Sequence, residues 1–233
     1  MFLRKIFLKN KNKIDQENTE VIPEELPPEE QLPDDVDCQT QQINLGEIGN
    51  YFDVLRNNYF EANRVIFIIG HISWELSIHV IQKLSFYDDD SKKPVTIYIS
   101  SPGGECDAGF AIIDCMNELK RKGIDVITIC LGSCSSMASV ILSSGTLGQR
   151  YAFPSSRIMI HQAGVEVTGG KLNDISIIQH ELQVWTDNMN KIFKKQTGKD
   201  LNELKSLTAY DNYMSANEAK KLGLIDHVKT KLI

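Results

Sequence analysis

The segment Gly132-Ser133-Cys134-Ser135-Ser136-Met137-Ala138-Ser139 follows a buried apolar run and opens a helix rich in small residues. A serine at such a junction has two uses. It can cap the helix through its hydroxyl oxygen. It can also act as a nucleophile, with small neighbours leaving room for a substrate and the helix end favouring negative charge. A serine nucleophile needs a base, and the base needs an acceptor that fixes its tautomer. His161, in Met159-Ile160-His161-Gln162, leaves the end of a short strand, where α/β proteins build their sites. Alone it also reads as a hydrogen-bonded surface histidine. Asp211, in Asp211-Asn212-Tyr213-Met214-Ser215-Ala216, sits in a turn, a common place for aspartate. Ser100-Ser101-Pro102-Gly103-Gly104 joins a strand to a helix, and its glycines allow a sharp turn and close substrate approach. Free N–H groups there suit either a phosphate or an oxyanion. The run is neither GxGxxG nor a Walker A sequence, which disfavours a nucleotide.

Alternating strands and helices must position these residues. Val65 to Ile69 is a nearly continuous apolar run ending at Gly70, as expected of a buried parallel strand. Trp74, Ile78, Ile81 and Leu84 space a helix over 73–86, and Val95 to Ile99 forms a second strand. Phe110, Ile113, Met116 and Leu119 mark a helix over 107–121, followed by a strand from Val126 to Leu131 and a helix opening at Ser136. Arg157 to Ile160 is a short strand delivering His161. A long helix over 172–197 carries Ile175, Ile178, Leu182, Trp185, Met189 and Ile192, and ends at Thr197-Gly198. Such a helix packs on the core or projects against a neighbouring subunit. Ser215 with Glu218 reads as a capping box for a further short helix. The order predicts an α/β fold of repeated βαβ units.

The chain of 233 residues is 42% apolar and 24% charged, enough for one core plus a tail. Its net charge of −6 argues against a nucleic-acid binder, and no apolar run of membrane-spanning length occurs. Residues 1–13 carry Arg4, Lys5, Lys9, Lys11 and Lys13, whereas 15–37 hold ten acids and four of the seven prolines. Such a stretch buries too little apolar surface to offset its ordering entropy. Residues 1–40 are therefore expected to be a mobile extension or propeptide, and 41–233 the folded domain. The five cysteines show no CxxC half-site. Cys130 and Cys134 read as buried reduced thiols, and the expected location is the cytoplasm. His79 and His180, on helices, are expected to face solvent or a subunit contact.

Ser-Pro-Gly-Gly, Ser-Met at a helix start, Met-Ile-His-Gln 25 residues later and Asp-Asn-Tyr-Met-Ser-Ala closely resemble the ClpP peptidase family. The similarity runs from about Arg64 to Val228, and Glu218-Ala-Lys-Lys-Leu-Gly-Leu-Ile-Asp226 looks like that family's closing segment. The resemblance implies a ClpP/crotonase-like fold with a projecting handle helix. It implies that Ser136 is the nucleophile, His161 the base and Asp211 the residue that orients the base. The N–H groups of Gly104 and Met137 match the family's oxyanion donors. The family places its nucleophile directly before a methionine, which selects Ser136 over Ser135. No metal or organic cofactor is implied. The implied assembly is two stacked seven-membered rings, a homo-oligomeric tetradecamer, fed by an AAA+ Clp unfoldase with unfolded polypeptide. The competing reading is a non-catalytic ring subunit of a mixed assembly. A third, an acyl-CoA enzyme of the crotonase type, does not need a Ser-His-Asp set. Three departures stand out. Ala209 and Tyr210 replace an acid and an arginine that commonly pair across the ring junction. Thr96 and Ser85 replace aromatic residues of the unfoldase-docking surface, where Tyr98 and Tyr151 still match. The acidic N-terminal stretch does not resemble the family's short axial loop.

Overall fold

A computed structural model describes residues 59–165 and 169–230. The expected extension at 1–40 lies outside the described residues. Three βαβ units run in order: β1 (Val65–Ile69), α1 (Trp74–Phe86), β2 (Val95–Ser101), α2 (Cys106–Arg121), β3 (Val126–Ser135), α3 (Met137–Ser143) and β4 (Arg150–Ala152). They are followed by β5 (Arg157–Ile160), α4 (Leu172–Thr197), α5 (Leu201–Leu207), β6 (Asn212–Ser215), α6 (Ala216–Leu222) and β7 (His227–Val228). The strands β1-β2-β3-β4-β7 lie side by side and pair in parallel, as expected of an α/β fold of βαβ units.

β2 is buried along nearly its whole length. The expectation for β1 needs correction. Ile66 and Ile68 are buried, but Phe67 and Ile69 point outward because β1 is the edge strand. An apolar run does not distinguish an edge strand with one uncovered face from a central one. The helices show the same split. On α1 the core face is Ser77, Val80 and Leu84, while Trp74 and Ile78 are exposed. On α2 the core takes Ile112, Ile113, Met116 and Leu119, and Phe110 turns instead towards α4. Each fully buried aliphatic side chain contributes on the order of 2 kcal/mol of burial free energy.

β3 extends to Ser135, four residues beyond the expected Leu131. Its first half pairs with β4 through Thr128, Ile129 and Cys130. Its second half pairs with β5 through Ser133, Cys134 and Ser135. The register with β2 shifts between Ile99 and Ser101, and Gly132 at φ +83° lets the strand change direction there. β5 also pairs antiparallel with β6. The nucleophile candidate thus ends a strand that leaves one set of neighbours for another.

α4 spans 172–197 as expected and ends at Gly198 in the left-handed conformation. Only its carboxyl half is anchored, through Met189, Asn190 and Phe193. In its amino half Leu172, Ile175 and Ile177 are exposed. Ser215 and Glu218 close the expected capping box of α6. The closing segment is fastened by Asp226, which takes two hydrogen bonds from the buried Arg150 guanidinium, at 2.6 and 2.8 Å. It also accepts the Gly148 and Arg150 backbone N–H groups. Cys130 and Cys134 are fully buried free thiols, whereas Cys106 and Cys115 are half-buried. His79 and His180 are both exposed on their helices.

Candidate active site

Ser136 is the N-cap residue of α3, yet its side chain makes no capping bond. Its backbone sits at φ +54°, ψ −128°, a region that non-glycine residues rarely occupy. Such a conformation costs about 1–3 kcal/mol and persists only where the surroundings enforce it. Here the Ser136 N–H donates to the Met159 carbonyl at 2.9 Å, extending the β3–β5 ladder into the turn. The Ser136 carbonyl accepts from the Ser139 N–H and from the Ser139 hydroxyl. The sharp turn lifts the Ser136 hydroxyl out of the strand and away from the helix end. Cys134, two residues earlier, is no rival nucleophile. It is fully buried, and burial, followed by its neighbour Cys130, pushes its thiol up.

Strand register brings the other two residues in. β5 pairs with β6 so that Ile160 faces Asn212 and Met159 faces Tyr213. Continuing that register by one residue sets His161 opposite Asp211. His161 Nδ1 lies 2.9 Å from Asp211 Oδ1, and Nε2 lies 2.8 Å from Ser136 Oγ. The carboxylate is an acceptor and favours the tautomer in which Nδ1–H donates to it, which leaves Nε2 to accept from the serine hydroxyl. The imidazole is 28% exposed and the Asp211 carboxylate 58% exposed.

Gly103 and Gly104 wedge between this turn and the β1–α1 loop. A Cβ on Gly103 would lie 2.7 Å from Ser136 Cβ and 3.2 Å from the Met137 nitrogen. A Cβ on Gly104 would lie 2.2 Å from the Ile72 carbonyl oxygen. Ile72 and Gly104 form an isolated parallel bridge, in which Ile72 N–H donates to Gly103 and Glu105 N–H donates to Ile72. Neither bond uses the Gly104 N–H, which the bridge turns away from Ile72. Met137 is the first residue of α3, so its N–H has no acceptor within the helix. Among the described residues neither the Gly104 nor the Met137 N–H has a backbone acceptor outside regular elements.

Several residues hold the constellation without having been legible in the sequence. Gln162 donates from its backbone to Thr208 and from its side chain to the Ala209 carbonyl. Asn212 donates to the Leu207 carbonyl. Thr208 is buried, its hydroxyl against Asn190 of α4 and the Leu204 carbonyl. These bonds fix the 208–211 turn that carries Asp211. Partners 4 to 47 residues apart leave no common period. Among the described residues no group of three His, Cys, Asp or Glu is placed to hold a metal ion, and no helix is long and apolar enough to cross a membrane.

A mostly parallel α/β sheet with a Ser-His-Asp hydrogen-bonded chain at a strand–helix turn has the arrangement of acyl-transfer enzymes. The family model for Clp protease matches residues 51–231. The match covers most of the 233 residues, and the chain belongs to the Clp protease family, a family of peptidases.

Proposed function

We propose that this chain is a catalytically active serine endopeptidase that hydrolyses unfolded polypeptide. The observation that carries this reading is the Ser136 hydroxyl in contact with the His161 imidazole, in turn bonded to Asp211, at 2.8 and 2.9 Å. His161 takes the Ser136 proton as Oγ attacks the scissile carbonyl, and the imidazolium is stabilised by Asp211. The N–H groups of Gly104 and Met137 receive the oxyanion, each typically worth a few kcal/mol in the transition state. His161 then gives its proton to the leaving amine, and water attacks the acyl-enzyme by the same route. The contact also weighs against a non-catalytic ring subunit, since the hydroxyl is committed to the base rather than to the helix cap.

The family resemblance extends the proposal to a homo-oligomer of stacked heptameric rings in the cytoplasm, served by an AAA+ Clp unfoldase that supplies the ATP dependence. The exposed Leu172, Ile175 and Ile177 on the free half of α4 suit a contact with another subunit. Tyr98, itself buried, stacks under Phe67 at 5.5 Å, and the exposed Phe67 and Ile69 on the edge strand give an apolar surface suited to a docking segment despite Thr96 and Ser85. Residues 1–40 are proposed as an extension to this peptidase domain.

Fluorophosphonate labelling of the assembled protein tests the catalytic reading. Wild type is expected to be labelled, and Ser136→Ala is expected not to be. An unlabelled wild type removes the catalytic reading, and a labelled Ser136→Ala shows that another serine is the nucleophile.

A further inference from the structure

α3 ends in carbonyls that have no partner within the helix. Three side chains from three different elements reach them. The Thr128 hydroxyl of β3 donates to the Leu142 carbonyl at 2.7 Å. The Arg150 guanidinium of β4 donates to the Ser143 carbonyl at 3.3 Å. The Lys120 ammonium of α2 donates to the Ser144 carbonyl at 2.6 Å. Cations at the carboxyl end of a helix meet the negative end of its dipole. Arg150 is balanced by Asp226. Lys120 has no such balance. Among the described residues it forms no ion pair, and burial, then Lys195 and Arg150, push its amine down to about 8. A half-buried charge without a counter-ion lowers stability, so its bond to α3 is what holds it in place.

α2 meets the other end of α3 as well. A Cβ on Gly109 would run into the Met137 side chain, so α2 lies close against the start of α3. Gly109 and Lys120 are about three turns apart on α2, and therefore share one face. That face fastens α3 at Met137 by close packing and at Ser144 by the Lys120 bond. α3 is buried from Met137 to Ser143, which leaves it no lateral room. Its end contacts decide where it sits along its axis. Both oxyanion donors hang on this pair of helices. Gly104 lies two residues before α2 begins at Cys106, and Met137 is the first residue of α3. The spacing of the two N–H groups is therefore set by how α2 and α3 are fastened.

We propose that Lys120 is a positioning residue for the oxyanion hole, holding α3 against α2 so that the Met137 and Gly104 N–H groups converge beside Ser136. Ser144 is ~10 Å along α3 from Met137, so Lys120 acts through the helix and touches no substrate. The inference rests on the reading of Ser136 as nucleophile, with Gly104 and Met137 as oxyanion donors, and adds the residue that sets their spacing.

The test uses assembled full-length protein as wild type, Lys120→Met and Lys120→Arg. Methionine keeps the stem and removes the charge, and arginine keeps a cation. Each is assayed for kcat and KM on a chromogenic peptide, and for affinity towards a peptide boronate and the matching peptide amide. The boronate bonds to Ser136 Oγ and puts a tetrahedral oxyanion in the hole, and the amide puts none there. In Lys120→Met, kcat and boronate affinity are expected to fall about tenfold, a fraction of the loss that follows outright removal of a donor. KM and amide affinity are expected to stay within about twofold, since ground-state binding does not use the hole. Lys120→Arg is expected to lie within about threefold of wild type in all four. The pH profile gives a second readout. The Lys120 ammonium faces Lys195 of α4 and Arg150 of β4, the latter paired with Asp226, while Asp114 and Arg121 of α2 line the same cavity. Its charge is lost as pH rises through about 8, and a neutral amine makes a weaker bond. Wild-type kcat is expected to fall above that pH, and Lys120→Arg to stay level because guanidinium does not titrate there. This comparison decides the matter even where Lys120→Met fails to assemble. A Lys120→Met kcat within about threefold of wild type, equal losses of boronate and amide affinity, or the same alkaline limb in wild type and Lys120→Arg overturns the proposal and leaves the peptidase. Wild type that neither cleaves peptide nor binds boronate removes the peptidase reading, and the role of Lys120 with it.

Discussion

Replacing Gly104 with alanine probes the proposed oxyanion hole through the backbone alone. The added Cβ would lie 2.2 Å from the Ile72 oxygen, 2.7 Å from its nitrogen and 2.8 Å from its carbonyl carbon. All three are backbone atoms, so no side chain can swing aside. Relief requires the Gly104 segment to move away from Ile72. That movement breaks the Ile72 N–H to Gly103 bond at 2.9 Å and the Glu105 N–H to Ile72 bond at 2.8 Å. Two net hydrogen bonds are worth about 1–3 kcal/mol of stability. The φ of +154° adds strain for any side chain. Movement of even ~1 Å takes the Gly104 N–H off the position where the oxyanion forms. Loss of one such donor costs about 10²–10³ in kcat. The expected result is kcat for a chromogenic peptide down by that factor, KM changed by less than threefold, and a thermal midpoint lowered by only a few degrees. Gly70→Ala is the control. It has φ +82° but open space around its Cβ, so it pays about 1 kcal/mol of strain without touching the site. If Gly104→Ala retains kcat within threefold of wild type, the Gly104 N–H is not an oxyanion donor and the reasoning fails.

Asp211→Asn leaves the carbonyl in place but permits the wrong imidazole tautomer. A buried triad aspartate is worth about 10⁴ in kcat; the half-exposed Asp211 shares its task with water, so a loss of about 10³ is expected. A loss under tenfold would show that Asp211 does not orient His161. Asp226→Ala strands the buried Arg150 guanidinium, whose side chain is 2% exposed. Breaking such a pair costs about 3–5 kcal/mol, or roughly 10 °C in thermal midpoint. The Asp226 carboxyl lies below its ordinary value of 3.8; burial opposes this, and the Arg150 hydrogen bonds and charge outweigh it. A depressed folded pKa contributes stability in full above 3.8 and loses it as pH falls below that value towards the folded one. Wild type should therefore lose stability on acidification in that window more steeply than Asp226→Ala. Parallel pH–stability curves for the two would refute the role assigned to this pair.

The sequence by itself determined the elements and the cast. Apolar runs and 3.6-residue spacing marked β1, α1, β2, α2 and α4, because burial must repeat with the geometry of the element. Glycines and capping residues marked their ends, as at Gly198 and at Ser215 with Glu218. Ser136, His161, Asp211, Gly104 and Met137 were named from residue type, order and a family resemblance. The short elements β4, α5 and β7, of 3, 7 and 2 residues, were not legible, since they span too few residues to show a period. Which apolar residues are covered was not legible either. Phe67, Ile69, Trp74, Ile78 and Phe110 read as core, yet an apolar period says only that a face is apolar, not what lies against it.

Only the tertiary structure decided how the named residues meet. In sequence, Ser136 was as much a helix cap as a nucleophile. In space its hydroxyl makes no capping bond and sits 2.8 Å from His161. That contact depends on the pairing of β3 with β5 and of β5 with β6, with Asp211 one residue beyond the last β6 pair. A register slip of one residue would turn His161 to the opposite face. Register is set by long-range burial across several strands, and a linear reading of residues carries no direct record of it.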